Sequence, residues 1–314
     1  MRIRVQTVCS RSRGQVNTTS GALALKDTTE ERTVVAVASG KGGTGKTTVA
    51  TNLAYVAASE GHAVSYLDCD VEEPNGHLFL RPRIRERTPV TVPVPVVDEH
   101  KCTACGKCKD ICQYGAIAVL GKTAIAFENL CHGCGGCVLV CAEGAISEGA
   151  REVGVVEEGR AGAIRFVHGR LRVGEAMSPP LIRMVKKRLP DDGLAIIDAP
   201  PGTSCPVIQS IKGADFVLLV TEPTPFGLHD LRLAVETVRV LGPPFAVILN
   251  RADVGDHRVH DYCRDEGIDI LLEIPDDRRV AEAYSRGLLA TEAVPEYGPV
   301  FLGLISAIGA QVGR

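Results

Sequence analysis

Tryptophan is absent from this 314-residue chain, and all aromatics together make up only 4% of it. With so few large rings the core has to be built mainly from aliphatic side chains, and a hydrophobic content of 45% is enough for a sizeable one. An excess of one charge is also missing. The formal net charge is −3, so no global field draws the chain onto nucleic acid or anionic lipid, and neither is an expected partner. The basic runs Arg81 to Arg87 and Arg183 to Arg188 read as a solvated linker and the polar face of a helix. No run of 18 apolar residues occurs; the apolar stretch Val300 to Val312 is broken by Gly303, Ser306 and Gly309 and reads as a core helix, not a membrane anchor. No secretory signal is evident, so the twelve cysteines are expected to be reduced thiols in a cytoplasmic protein, serving as metal ligands and not as disulfides. Residues 1–31, with Arg2, Arg4, Arg11 and Arg13 among Ser and Thr, are expected to form a disordered tail.

Glycine, by contrast, is plentiful at 33 residues, and it is concentrated in Gly40-Lys41-Gly42-Gly43-Thr44-Gly45-Lys46-Thr47-Thr48. The stretch fits G-x-x-x-x-G-K-[ST], follows the β-branched run Thr33 to Ser39 and opens a helix expected over Lys46 to Glu60. Backbone N–H groups of such a loop wrap a β-phosphate, and the helix N-terminus adds positive partial charge. Lys46 would reach the β- and γ-phosphates and Thr47 would offer its hydroxyl to Mg2+, so ATP and Mg2+ are the expected ligands. Asp198, behind the apolar run Leu194 to Ile197, is the acid expected to hold Mg2+ through water. Asp70 or Asp68, after an expected strand at Ala63 to Leu67, could orient the attacking water. Further strands at 216–220, 245–249 and 268–273 alternate with helices. That pattern makes an α/β fold, a mostly parallel, doubly wound sheet whose ligands collect at the strands' carboxyl ends. Pro82, Pro89, Pro93 and Pro95 suggest an extended connection, and residues 163–173 a hairpin turning at His168-Gly169-Arg170.

Eight of the cysteines fall in two runs: Cys102, Cys105, Cys108 and Cys112, then Cys131, Cys134, Cys137 and Cys141. Both read C-x2-C-x2-C-x3-C at an offset of 29 residues, and Gly115-Ala116-Ile117 recurs at that offset as Gly144-Ala145-Ile146. This is an internal repeat. A C-x2-C-x2-C run suits three ligands of one 4Fe-4S cluster. Tetrahedral zinc, which commonly takes two separated C-x2-C pairs, is the alternative. His100 and His132 beside the runs read as solvated loop residues.

Lys41, ahead of Lys46, makes the glycine-rich loop resemble the deviant Walker A motif of the MinD, ParA and nitrogenase iron protein class of P-loop ATPases. Asp68 to Asn75 and Asp198 to Thr203 resemble its switch I and switch II. The resemblance implies an ATP-dependent homodimer, or a heterodimer with a related ATPase, in which Lys41 reaches across to the partner's phosphates. It implies Lys41, Lys46, Asp70 and Asp198 as the catalytic set, and Asn250-Arg251 beside the adenine. The cysteine repeat resembles bacterial two-cluster ferredoxins, except that Gln113 and Ala142 stand where proline usually follows the fourth cysteine. What that implies is crossed ligation of two 4Fe-4S clusters, one by Cys102, Cys105, Cys108 and Cys141, the other by Cys131, Cys134, Cys137 and Cys112. Cys205, seven residues after Asp198, has the spacing of the cluster cysteine in the nitrogenase iron protein, but no second candidate lies between Cys141 and Asp198.

The expected architecture is therefore a P-loop ATPase domain at 32–97 and 149–314, interrupted at 98–148 by a small α+β ferredoxin-like domain. The combination resembles MinD-superfamily ATPases with an inserted ferredoxin domain. Its first reading is an ATPase whose nucleotide cycle gates electron transfer through the two clusters to a redox partner. One alternative is an iron–sulfur carrier or assembly ATPase similar to Mrp, with a cluster-accepting partner; every C-x-x-C of the chain belongs to the repeat, which weighs against it. Another is a MinD- or ParA-like positioning ATPase in which the clusters only brace the insert.

Overall fold

The computed structural model describes residues 4–5 and 32–313. Apart from Arg4–Val5, the expected tail at 1–31 lies outside the described residues, as does Cys9. The strands are β1 (Arg4–Val5), β2 (Thr33–Ala38), β3 (Val64–Asp68), β4 (Arg83–Val97), β5 (Ile117–Leu120), β6 (Thr123–Ala126), β7 (Ile146–Ala161), β8 (Ile164–Leu171), β9 (Leu194–Asp198), β10 (Phe216–Thr221), β11 (Phe245–Asn250) and β12 (Ile270–Ile274). Ten of them form one sheet in the order β1-β12-β11-β10-β2-β9-β3-β8-β7-β4. From β12 to β8 all neighbours run parallel, as expected; β1, β7 and β4 join antiparallel at the two sides.

Alternation within the strands divides the core in two. In β2, Val35 and Val37 face a layer containing the helices Lys46–Ser59 and Tyr297–Val312, while Val34, Ala36 and Ala38 face one containing Pro179–Lys186, Cys205–Ile211 and Pro225–Leu241. Strands covered on both faces have little need of polar residues, so β9 and β10 read as unbroken apolar runs until each reaches its functional end, and β3 is interrupted only by Ser65 and Tyr66. Among the described residues no helix is long and apolar enough to cross a membrane.

Two local expectations need correction. The proline-rich connection is a 15-residue strand, β4, paired with β7 from Arg83↔Arg160 to Val97↔Ile146. It is an edge strand, so the N–H groups that Pro89, Pro93 and Pro95 lack can be spared on its open side. The hairpin expected at His168-Gly169-Arg170 does not exist: Ile164–Leu171 is one strand, and the chain reverses at Gly162, φ 58°, between β7 and β8. His168 and Gly169 look like turn residues, yet His168 is buried, and a Cβ on Gly169 would lie 2.5 Å from Cγ1 of Val71.

The pairing of β7 positions the cysteines. Its second half, Gly154–Ala161, lies between β8 and β4, whereas its first half, from Ile146, pairs with β4 alone. The two strands thus leave the sheet edge as a ribbon, and the cysteine segment occupies the far end, beyond Val97↔Ile146. Where β7 lies inside the sheet, Gly159 sits so close to the start of β4 that a Cβ would lie 2.2 Å from the Arg83 carbonyl oxygen. Gly159→Ala should therefore part β7 from the start of β4 and cost roughly 1–3 kcal/mol. The effect is read as a lower Tm with faster amide exchange in 83–97; an unchanged Tm and exchange pattern would contradict the packing described.

Candidate functional site

The helix Lys46–Ser59 begins without a cap. Gly45 holds its N-cap position at φ 95°, no side chain accepts from the first turn, and no acidic residue lies there. The helix Pro225–Leu241, in contrast, is capped by Thr224, whose Oγ1 accepts from the Gly227 N–H at 3.0 Å. An uncapped helix start leaves up to four N–H donors without partners. The residues around this one line a cleft of about 370 Å³, together with Gly43, Asp70, Asn250 and Arg251, a volume in the range of small-molecule sites. Asn250 fastens the loop: its Nδ2 donates to the Thr44 carbonyl at 2.9 Å, and a Cβ on Gly45 would lie 2.5 Å from that same nitrogen. Positive φ and this close approach together require glycine at 45.

Lys46, Thr47 and Asp70 line this cleft, and Asp198 lies near enough to interact with Lys46 and Thr47. Asp68 and Asp198 end neighbouring strands, are paired in register and are fully buried. The Asp68 carboxylate accepts from the N–H of Gly76 at 2.9 Å and of Asp70 at 3.1 Å; Tyr66 donates its hydroxyl to Oδ2 of Asp198 at 2.9 Å. Burial raises both carboxyls above their ordinary range, Asp68 well above it. The Thr47 hydroxyl, the Lys46 ammonium and Tyr66 work against this at Asp198. Lys46 is itself lowered by burial and pulled back up by Asp198, Asp70 and Asp68. Oδ1 of Asp198 and Oγ1 of Thr44 are buried without a hydrogen-bond partner. Two unfilled polar atoms beside orphan N–H donors suit a hydrated Mg2+ and phosphate oxygens.

Two participants escape sequence reasoning. Tyr66 is legible only as one more buried strand residue, because its hydroxyl partner lies 132 positions away. Glu222, directly after β10, is 3.5 Å from Lys41 and 3.0 Å from Arg251. An acid at the carboxyl end of an apolar strand is the signal that could have found it. Arg251 makes its contact from a left-handed backbone, φ 51°.

In the cysteine segment the repeat extends from sequence to backbone. Left-handed residues recur at the 29-residue offset as Ala104 and Gly133, Gly106 and Gly135, and Gly115 and Gly144. Short helices follow at Lys107–Ile111 and Gly136–Leu139. The eight thiols ring two cavities, Cys102, Cys105, Cys108 and Cys141 around one and Cys112, Cys131, Cys134 and Cys137 around the other. Backbone N–H groups point at sulfur, from Ala104 to Cys102, from Gly133 to Cys131 at 3.4 Å and from Ala145 to Cys141 at 3.3 Å. Cys102 is lowered accordingly, whereas burial raises Cys108 and, in the second half, Cys137. Among the described residues no three His, Cys, Asp or Glu side chains converge on one point as a single ion requires. Thiols spread around a cavity with N–H donors to sulfur have the donor chemistry of an iron–sulfur cluster. Cys205 is exposed at the start of its helix, and Cys69 and Cys263 are buried packing residues.

Comparison with known proteins gives three kinds of similarity. A family model, the CobQ/CobB/MinD/ParA nucleotide binding domain, matches residues 35–290. An uncharacterized protein of Methanocaldococcus jannaschii is 32% identical over 270 residues, 82% of this chain and 91% of that protein. The iron-sulfur cluster carrier protein of Pyrococcus horikoshii is 26% identical over 280 residues, 81% of this chain and 77% of that protein. Among solved structures, the septum site-determining protein MinD of Pyrococcus horikoshii, complexed with Mg-ADP, superposes with a TM-score of 0.53 at 18% identity. That match covers 88% of this chain and 96% of the other, and at such identity it is a likeness of fold.

Asp70 makes the site's charge titratable. Burial, with Asp198 adding to it, raises its carboxyl to about 6, while Lys46 opposes the shift. At pH 6 about half of the free site therefore carries the protonated acid, and a bound cation favours the carboxylate. Binding of Mg2+ alone should therefore release protons and tighten as pH rises through about 6. Calorimetry at pH 6 in buffers of different ionisation enthalpy should find roughly half a proton released, the amount a half-protonated acid can lose, and Asp70→Asn should abolish it. Equal release from both proteins would contradict this assignment.

Proposed function

The chain belongs to the CobQ/CobB/MinD/ParA nucleotide-binding family, and from that premise we propose that it is an ATP-dependent dimer that hydrolyses ATP to control clusters held on its ribbon-borne insert. Of the two roles such a protein could have, cluster carriage and assembly is the one we favour. The observation that supports it most is the grouping of the eight thiols around two cavities in the crossed sets, each with one solvent-exposed member, Cys105 and Cys134. A site open at one corner can hand its contents to an acceptor. The similarity to iron-sulfur cluster carrier proteins points the same way, and it moves the emphasis from gated electron transfer, the first expectation, to the alternative. Electron transfer to a redox partner stays as the second reading, favoured by the completeness of both ligand sets. When bound, two 4Fe-4S clusters would serve as transferable cargo under the first reading and as one-electron carriers under the second.

The residues divide the ATP chemistry among them. Free N–H groups at residues 45–48 hold the β-phosphate, Lys46 spans the β- and γ-phosphates, and Thr47 and Asp198 would hold Mg2+. Asp70 orients the water that attacks the γ-phosphorus as the bond to the ADP oxygen breaks. Asn250 and Arg251, at the cleft wall, flank the base. Lys41, held by Glu222 within its own chain at 3.5 Å, exchanges that carboxylate for the partner's phosphate when two chains close on nucleotide.

Two measurements test this. Protein reconstituted anaerobically should pass clusters to an apo-acceptor faster with MgATP than with MgADP. Lys46→Ala should lower kcat for hydrolysis at least about 100-fold, the usual loss of one transition-state donor, and remove the ATP effect on transfer. Full hydrolysis by Lys46→Ala would overturn the site; absence of transfer in every nucleotide state, with clusters that still exchange electrons, would select the second reading. Cys112→Ser should lose the cluster of the other run, and Cys141→Ser that of the first. Two intact clusters in either variant would contradict the crossed sets.

A further inference from the structure

A row of polar side chains crosses half the sheet, starting at the hydrolytic site and continuing through residues that hydrolysis as described leaves unused. Asp198 of β9 pairs in register with Asp68 of β3, Asp68 with His168 of β8, His168 with Glu157 of β7, and Glu157 with Arg87 of β4. Directly paired residues share one face of a sheet. Five consecutive strands thus contribute one polar position each, beginning at the proposed Mg2+ acid and ending on the two strands of the ribbon.

A chain of contacts follows this row, carried between Asp198 and His168 by Tyr66 and Phe166, two positions earlier in β3 and β8. Tyr66, bonded to Asp198, stacks on Phe166 at 5.6 Å between ring centroids; Phe166 meets His168 edge-on at 5.2 Å. His168 is 3% exposed and Glu157 8%. The His168 Nε2–H donates to Oε2 of Glu157 at 2.7 Å, and the other carboxylate oxygen lies 3.3 Å from Nε of Arg87. Arg170 stands 3.8 Å from Oε2. Burial holds the His168 imidazole below its ordinary range, with Glu157 opposing. One buried carboxylate thus has three basic partners within 4 Å, two on β8 and one on β4, so a small displacement can redistribute it among them.

The segment following β3 bears on this row. Gly76 donates its N–H to Asp68 and is packed so that a Cβ would lie 2.5 Å from the Tyr66 ring; the His77 ring is 5.4 Å from that of His168. Nδ1 of both histidines is buried without a hydrogen-bond partner, an arrangement that costs free energy and favours any rearrangement that satisfies either nitrogen. Asp70, six residues before Gly76, lines the nucleotide cleft. Val71 is tied to the end of β8 by the Leu171 N–H at 2.8 Å.

We propose that this row carries nucleotide state to the cysteine segment: when Asp70 and its neighbours engage the γ-phosphate, His77 shifts against His168, and Glu157 redistributes between His168, Arg87 and Arg170, resetting how both strands of the ribbon sit on the sheet edge. The proposal rests on the ATP-binding reading above. His77, His168 and Glu157 are positioning residues; none of them lines the nucleotide cleft.

Hydrogen–deuterium exchange on the full-length, cluster-loaded protein tests it, with MgADP compared against a Mg2+ complex of a non-hydrolysable ATP analogue. In the wild type, residues 83–97 and 146–153 should exchange at rates differing between the two states by at least about fivefold, the lower end of measured allosteric couplings. In Glu157→Gln and His77→Ala that difference should collapse while 68–80 still responds and basal hydrolysis persists; Glu157→Asp should restore part of it. Should Glu157→Gln fail to fold, Arg87→Met at an exposed position breaks the same link. A ribbon that responds fully in these variants, or a wild-type ribbon indifferent to nucleotide while 68–80 responds, would overturn the proposal alone. A wild type that neither binds nor hydrolyses ATP would overturn the proposed function with it.

Discussion

Two carboxylates buried side by side, Asp68 and Asp198, are the constraint around which the rest of this molecule is arranged. Each ends a buried strand, and burial raises both above the usual carboxylate range. Like charges at such a site are tolerated only with compensation. The compensation is visible in every direction: two N–H groups on Asp68, the Tyr66 hydroxyl on Asp198, and the Lys46 ammonium between the loop and the sheet. One acceptor, Oδ1 of Asp198, is left unfilled. A structure that gathers negative charge and leaves part of it unsatisfied is prepared for a cation, and an uncapped helix start beside it is prepared for the anion that accompanies that cation.

The proposed coupling of the cysteine segment to the nucleotide starts from the same pair. The row that starts at Asp198 passes through Asp68 and continues through His168 and Glu157 to Arg87, so the ATP site and the ribbon share one line of register. A flexible linker would have isolated the insert. A paired ribbon with one strand running on into the sheet transmits displacement instead. The two functional readings, carriage of clusters and relay of electrons, both need such a connection; they differ in whether the cluster leaves or only its electron does.

Local patterns were readable from the sequence and long-range pairings were not. The loop at 40–48, the parallel sheet and the repeat are short-range features, carried by spacing and by runs such as Leu194 to Ile197. Gly45 was legible as a loop glycine, but its contact with Asn250 depends on a residue 205 positions away. β4 was hidden because Pro89, Pro93 and Pro95 normally exclude a strand, and only its place at the edge permits one. His168 was misread as a turn residue for a similar reason: a polar group in an apolar run suggests exposure unless its partner, here Glu157, is known. Glu222 and Tyr66 were missed because their importance lies wholly in what they touch.

The central claim is that nucleotide and cysteine segment form one thermodynamic unit, and the reduction potentials of the bound clusters test it most directly. They can be followed by anaerobic titration monitored by EPR, without nucleotide, with MgADP and with a Mg2+ complex of a non-hydrolysable ATP analogue. Coupling predicts that at least one potential moves between the last two states, by about 59 mV for each factor of ten in the one-electron equilibrium. Potentials identical in all three states, in protein shown to bind both nucleotides, would contradict it.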